Sequence, residues 1–323
     1  MTNFIIDIPG IKNTSGGIQR MLEFSEVLFL YYPSYVTIKG EAIDQIKDGY
    51  IVTFSDNPNI NELCSKAKEQ NLRVIVYQLS YGMAIDRERK VVSHPDVIVC
   101  TSTEHIRQKI LNDPNVNIKN KQIYCISHSQ EETLKNFFPE DKYYFNINFR
   151  DENQYQHLFL NQFNNPNRQF DVALMMHKSP DKRFKESFEY CKSQDLKIVL
   201  FGARLNQDLS GTEQIFFNAS AETVRWIFNN SKKFLNASLT EGLNRTGIEA
   251  MLCGCKPYIY DGCEIYQDEQ NCKFIKNFEE IHENFELIDY IKIKKSLESY
   301  TWKNVLKNLG KILKIKFDKK DKK

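Results

Sequence analysis

The sequence predicts an α/β fold built from two successive parallel-sheet series. Three observations carry that expectation. Short apolar runs alternate with helix-forming stretches through the first half of the chain. The same alternation starts afresh near residue 169, and the stretch between, about 140 to 168, has no clear periodicity. At 323 residues the chain is long enough for two medium domains and a sizeable core.

In the first series FIIDIPG reads as a strand and GGIQRMLEFSEVLFLYY as a helix. YVTIKG and YIVTFSD follow as strands, NINELCSKAKEQN as a helix and LRVIVYQLS as a strand. DVIVCTS is a strand whose Ser/Thr end caps the helix TEHIRQKILND, because a hydroxyl there accepts an early helical N–H. KQIYCISHS is a further strand and QEETLKNFF a further helix. Short apolar strands separated by helices belong to a parallel sheet covered on both faces. The run YYFNINFRDENQYQHLFLNQFNNPNRQ, rich in Asn, Gln and aromatics, reads as the interdomain connection with irregular packing. The second series runs FDVALMMH, RFKESFEYCKSQ, LKIVLFGA, SAETVRWIFNN, KKFLNAS, TGIEAMLCG and KPYIYD. A closing helix, SYTWKNVLKNLGKILKIKF, spaces Trp302, Val305, Leu306, Leu309, Ile312 and Leu313 helically. The expected domains are 1–150 and 151–296, with 297–323 as a crossing helix and basic tail. The two βα series amount to a repeat at domain scale.

Bulk properties exclude several classes. Charged residues are 27% and hydrophobic residues 41%, ordinary for a soluble globular protein. A net charge of +2 gives no global field for nucleic acid. From Lys303 onward, however, Lys307, Lys311, Lys314, Lys316, Lys319, Lys320, Lys322 and Lys323 face only Asp318 and Asp321. That tail reads either as a solvated helix face with a frayed end or as a contact for an anionic surface, lipid or nucleic acid. MTNFIIDIPG lacks the basic start and long apolar run of a signal peptide, and no 18-residue apolar segment occurs. Several of the eight cysteines sit inside apolar runs, where a free thiol behaves as a small hydrophobe, so a reducing cytoplasm is the expected setting. Cys253, Cys255, Cys263 and Cys272 lack paired C-x2-C knuckles, which argues against zinc.

The most informative stretch is NASLTEGLNRTGIEAMLCGCKPYIYDG, 236 to 262. A small-residue turn precedes Glu241, a helix-forming run carries Glu249, and a Cys-Gly stop leads into a short strand. Seven residues separate the two carboxylates. A carboxylate can accept from two vicinal hydroxyls at once. The stretch resembles the Glu-x7-Glu segment of GT-B-fold retaining glycosyltransferases, where a typical text is EGFGLPLLEAMACGLPVI. SGGIQRMLEFSEVL is similar to that family's amino-terminal GGxxRxxxxLAxxL segment, MHKSPDKRF to its GRLxxxKGF segment, and YTWKNVLKNL to its closing helix.

The resemblance implies two Rossmann-like domains facing a central cleft, with the C-terminal helix crossing back. It implies a hexosyltransferase that moves sugar from a nucleotide diphosphate donor to a hydroxyl acceptor, with retention. No cofactor is implied beyond the donor substrate, and no metal is expected because no DxD-like motif is placed. Gly16 and Gly17 would let backbone N–H groups approach the ligand at a helix start. Lys178 best matches the family Arg and Lys182 the family Lys that neutralise the leaving diphosphate, with Arg183 also in reach; the register is open by one residue. Glu241 would contact sugar hydroxyls and Glu249 the ribose. Gly242, Leu243, Asn244, Arg245 and Thr246 would line the donor, offering backbone N–H groups and the Arg245 guanidinium. The catalytic set implied is Lys178, Lys182 and Glu241. The family's mid-domain acceptor His is absent: VIVYQLSYG carries Gln78 there, and His128 is the other candidate. A cell-surface glycan or glycolipid is the acceptor expected for the family. A hydroxymethylated base of viral DNA, or a non-catalytic sugar-nucleotide or glycan binder on the same scaffold, are the alternatives. A dinucleotide oxidoreductase is excluded, since no G-x-G-x-x-G follows a strand.

Overall fold

The computed structural model describes residues 3–8, 16–32, 34–38, 43, 47–54, 57–78, 97–114, 123–127, 129–131, 133, 137, 163–297 and 300–317. The side chains of 16–20, 35, 37, 290 and 294 lie outside that description. By its contacts the chain divides into unit 1, Met1–His128 with Trp302–Lys323, and unit 2, Ser129–Thr301. The expected boundary at 150 lies among residues outside those described.

Unit 1 holds strands β1 (Asn3–Ile8), β2 (Ser34–Ile38), β3 (Gly49–Phe54), β4 (Arg73–Gln78), β5 (Val97–Thr101) and β6 (Ile123–Cys125). They form one parallel sheet in the order β2-β1-β3-β4-β5-β6. Its helices are α1 (Gly16–Phe29), α2 (Ile60–Glu69) and α3 (Glu104–Leu111), the last capped by the Thr103 hydroxyl as expected. Side chains of a strand alternate between faces, and both faces here are apolar. Ile5, Ile51, Val74 and Val76 pack with Leu63 of α2 and Ile106 of α3. Their sequence neighbours Phe4, Ile6, Val52 and Ile75 pack on the other face with Met21, Phe24 and Leu28 of α1. That explains why these strands read as continuous apolar runs.

Unit 2 repeats the plan. Strands β7 (Phe170–Met176), β8 (Ile198–Gly202), β9 (Gln214–Phe217), β10 (Ser231–Asn236), β11 (Lys256–Ile259) and β12 (Lys273–Phe274) pair in parallel in the order β12-β11-β10-β7-β8-β9. One face packs on α4 (Phe184–Ser193) through Phe184, Phe188 and Cys191. The other packs on α5 (Ala221–Asn230), α6 (Arg245–Leu252) and α7 (Tyr290–Leu297). Arg168 ties this second face together: its guanidinium donates to the carbonyls of Phe163, Phe228, Ser231 and Cys253. The turn after α6 needs glycine, because Gly254 has φ +70 and a Cβ there would lie 2.1 Å from the Phe163 carbonyl oxygen. The two ends of unit 2 are joined by the Gln130 N–H, which donates to the Tyr300 carbonyl at 2.7 Å.

The closing helix α8 (Trp302–Leu313) belongs to unit 1. Val305, Leu306, Leu309 and Leu313 are buried, and the last three join the cluster on β1 and α1. Trp302 stacks on Phe24 at 5.8 Å, a packing role. Among the described residues no helix is long and apolar enough to cross a membrane.

Candidate active site

In a doubly wound sheet the ligand crevice opens where successive strands are added on opposite sides. In unit 2 that place lies between β7 and β10: β8 follows on one side of β7, and β10 is added on the other. The chain leaves β7 at Met176, makes a 3-10 turn over Pro180–Lys182 and enters α4. It leaves β10 at Asn236 and enters α6 at Arg245. The two connections touch, since the Leu239 N–H donates to the Asp181 carbonyl at 2.9 Å.

Both sequence-flagged acids lie here. Lys182 Nζ stands 2.8 Å from Glu241 Oε1, with the side chains 22% and 12% exposed. Asn236 Nδ2 donates to the same oxygen at 3.3 Å, and the Glu241 N–H donates to Asp261 Oδ2 at 2.6 Å. Two side chains therefore orient the carboxylate, Lys182 from the loop after β7 and Asn236 at the end of β10, while Asp261, just after β11, fixes the Glu241 backbone. On α6, Arg245 Nε lies 3.0 Å from Glu249 Oε1, one turn apart; the N–H is poorly aligned, so this is an ion pair and not a hydrogen bond. Partly buried ion pairs gain little net stability, because desolvation offsets their attraction.

The start of α6 is built tightly. Asn244 is buried and caps the helix, its Oδ1 accepting from the Gly247 N–H at 3.0 Å. The Tyr266 hydroxyl donates to the Asn244 carbonyl. A Cβ on Gly247 would lie 2.5 Å from that hydroxyl oxygen, so only glycine fits. The Arg245 N–H donates to the Leu243 carbonyl at 2.8 Å, Leu243 packs on the core, and Thr246 Oγ1 meets Met175 Sδ at 3.7 Å. The Arg245 N–H, expected to face the donor, is thus used within the loop that also holds Gly242.

Beside the Lys182–Glu241 pair, a cleft of about 700 Å³ runs between the ends of β7 and β8. His177, Lys178, Ser179, Phe184, Arg204 and Asn206 line it. His177 Nδ1 accepts from the Ser179 N–H at 3.0 Å. Its pKa is lowered, by desolvation first and by Lys182 second, against the opposing pull of Asp181 and Glu241. His177 is exposed overall, so solvent screens the shift and its effect on stability is small. Arg183 does not join this group. It takes the left-handed conformation at φ 49, and its guanidinium lies over the rings of Tyr260 and Phe278, at 4.9 and 4.7 Å. The basic run thereby sorts into a pair member (Lys182), a cleft wall (Lys178) and a ring-clamped Arg183.

The remaining candidates lie in unit 1 or outside the description. Gly16 and Gly17 open α1. Gln78 ends β4, fully buried, with its carbonyl accepting from the Ser102 N–H at 3.1 Å. His128 is outside the described residues. Sequence reasoning missed Asn236, Asp261 and Arg204; each is a polar residue at or just after the end of a parallel strand, the one signal that would have flagged it. Among the described residues no three His, Cys, Asp or Glu side chains stand close enough together to hold a metal ion. Cys253, Cys255, Cys263 and Cys272 are buried free thiols, and burial pushes Cys255 and Cys263 up to about 12.

Two parallel α/β sheets in tandem, with a helix returned to the first, define a GT-B fold of the kind seen in glycosyltransferases. The chain is similar to sucrose-phosphate synthase from Thermosynechococcus elongatus at TM-score 0.67 and 10% identity, covering 97% of this chain and 98% of that one. It is similar to S. aureus MnaA, solved with UDP, at TM-score 0.55 and 9% identity over 99% of each chain. It is also similar to an S. aureus TarM variant solved with fondaparinux, alpha-GlcNAc-glycerol and UDP, at TM-score 0.54 and 15% identity, covering 82% of this chain. The chain spans about half of TarM, 55% of its length. No family model and no curated protein sequence matches the chain.

Proposed function

We propose that the chain is a nucleotide-sugar-dependent glycosyltransferase that moves a hexose-type sugar to a hydroxyl acceptor with retention of configuration. The observation that carries this reading is the Lys182–Glu241 pair at the switch point of unit 2, with Glu249 on the adjoining helix. Lys182 and Lys178 are cations placed to neutralise a diphosphate as its negative charge grows during glycosidic cleavage. Glu241, held by Lys182, Asn236 and Asp261, accepts from the donor sugar hydroxyls. Glu249 accepts from the ribose, with Arg245 turning from it to a phosphate oxygen when the donor enters. Catalysis is then positioning plus charge stabilisation, with the leaving phosphate taking the acceptor proton and no metal in the step. UDP in the TarM and MnaA structures makes a UDP-sugar the first donor to test. A cell-surface glycan or glycolipid is the proposed acceptor, and eight free thiols fit a reducing cytoplasm.

The test is thermal shift together with mass-spectrometric turnover against UDP-, GDP-, ADP-, TDP- and CMP-sugars. One donor that raises the melting temperature and is slowly hydrolysed, with both effects lost in Lys182→Ala, is the expected result. Stabilisation without hydrolysis in the presence of varied acceptors would favour a binding protein. No response to any donor would overturn the reading.

A further inference from the structure

The Lys182–Glu241 pair sets a condition on what the site holds. Lys182 Nζ lies 2.8 Å from Glu241 Oε1, and both side chains are partly buried. Asn236 Nδ2, a second donor to that carboxylate, is neutral and further off at 3.3 Å. The Glu241 N–H donates to Asp261 Oδ2 at 2.6 Å, which anchors the backbone beneath the carboxylate. Glu241 therefore stays within reach of the cation when a ligand arrives.

A phosphate that engages Lys182 must share the ammonium with Glu241 or draw it away. Sharing sets a phosphate oxygen about 5 Å from the carboxylate, because an ammonium bonded to both at ordinary lengths spans that distance. Drawing it away leaves a partly buried carboxylate with a neutral donor in place of its cation. Both penalties grow with the charge on the phosphate. Both are relieved if the ligand brings hydroxyls to Glu241, since a carboxylate accepts from them without a cation. A nucleotide sugar and the nucleoside diphosphate left after transfer differ in both respects. In the first, the terminal phosphate is esterified, carries one charge and has sugar hydroxyls beside it. In the second, it carries close to two charges at neutral pH and has no hydroxyls beside it.

We infer that Glu241 makes the site selective for the intact nucleotide sugar over its own nucleoside diphosphate, so that the carboxylate that grips the sugar also expels the spent nucleotide. This rests on the donor reading above and adds what Glu241 does once the sugar has left. While sugar hydroxyls occupy Glu241, Lys182 serves the phosphate alone, and the repulsion is felt in full only after transfer. One extra charge at that separation, in a partly buried site and with salt screening, is worth roughly 10- to 100-fold in affinity. Glu249 makes no such distinction. It is paired with Arg245 at 3.0 Å, and on the donor reading it meets the ribose, which both nucleotides carry.

The experiment is calorimetric titration of the full chain, in the cold and without acceptor. The ligands are UDP-, GDP-, ADP- and TDP-sugars and, separately, UDP, GDP, ADP and TDP. For the base that binds, the wild type should prefer the nucleotide sugar by about 10-fold or more. Glu241→Gln removes the charge and keeps the side-chain shape. It should tighten the nucleoside diphosphate without tightening the nucleotide sugar, closing the preference to about threefold or less. Glu249→Gln should change both ligands alike and leave the preference standing. The wild-type comparison needs no variant, so it decides the matter even if Glu241→Gln does not fold. A wild type that binds the nucleoside diphosphate as tightly as the nucleotide sugar overturns the inference and leaves the donor reading intact. So does a folded Glu241→Gln chain with unchanged preference, or a Glu249→Gln chain that loses the preference equally. If no nucleotide binds, the donor reading and the inference fall together.

Discussion

Lys182→Met is the most discriminating single change, because it separates what the lysine does for the fold from what it does for the reaction. At 2.8 Å and an effective dielectric near 20, the gross attraction to Glu241 is about 6 kcal/mol. Most of that is offset by desolving two groups that are 22% and 12% exposed. Asn236 still donates to the Glu241 carboxylate after the change, so the net stability loss is about 1–2 kcal/mol. For a unit of this size that lowers the melting temperature by roughly 2–4 °C per kcal/mol. Turnover has no such substitute, since a cation aimed at growing phosphate charge contributes about 10²–10³-fold. Urea denaturation and single-turnover donor cleavage, run on Lys182→Met, Glu241→Gln and the double variant, separate the two. A stability coupling of about 1 kcal/mol, beside a turnover loss near the full factor in Lys182→Met alone, is expected. A folded Lys182→Met protein with wild-type turnover would refute the donor-site reasoning.

Three further outcomes are expected. Gly247→Ala places a Cβ 2.5 Å from the Tyr266 hydroxyl oxygen and should cost about 2–3 kcal/mol in denaturant titration; Tyr266→Phe in the same chain should recover part of it by removing the clashing atom. His177 has its folded pKa below the ordinary 6.5, so the unfolded chain takes up its proton first and stability falls as pH drops below 6.5. A bound diphosphate favours the protonated ring, so donor affinity by calorimetry should rise over the same interval, and His177→Asn should flatten both trends. Seven of the eight thiols are buried and Cys125 is half-buried, so brief maleimide labelling of the native protein should modify Cys125 first, as read by peptide mass spectrometry.

The parallel strands were legible because each is buried on both faces: FIIDI and VALMM are apolar without a break. β9 was not, since QIFF lies at the sheet edge with three of its four residues exposed, and nothing in its pattern marks a buried face. α7 went unread although Asp289 stands just before it, its Oδ1 accepting from the Ile291 N–H at 2.6 Å; no glycine marks its stop. In the site, Glu241 and Glu249 stood out through their spacing within one βα unit. The basic run could not be sorted from spacing alone. A left-handed residue at Arg183 turns the chain there, and the rings that hold its guanidinium, Tyr260 and Phe278, lie about 80 to 95 positions downstream. Asp261 was invisible for the same reason: its partner is a backbone N–H 20 residues earlier, met only once β10 and β11 pair.

The hydrogen bond from Gln130 to Tyr300 brings the first and last parts of unit 2 side by side, which makes that unit an insertion within unit 1. The order of synthesis follows from this. Unit 2 is complete when residue 301 leaves the ribosome, while the sheet of unit 1, made first, still lacks Leu306, Leu309 and Leu313 on the face formed by Phe4, Ile6 and Phe24. The half of the protein that is translated first is the half that matures last, and the part of its sheet face that α8 covers, beside α1, is the surface a chaperone would have to guard in the interval.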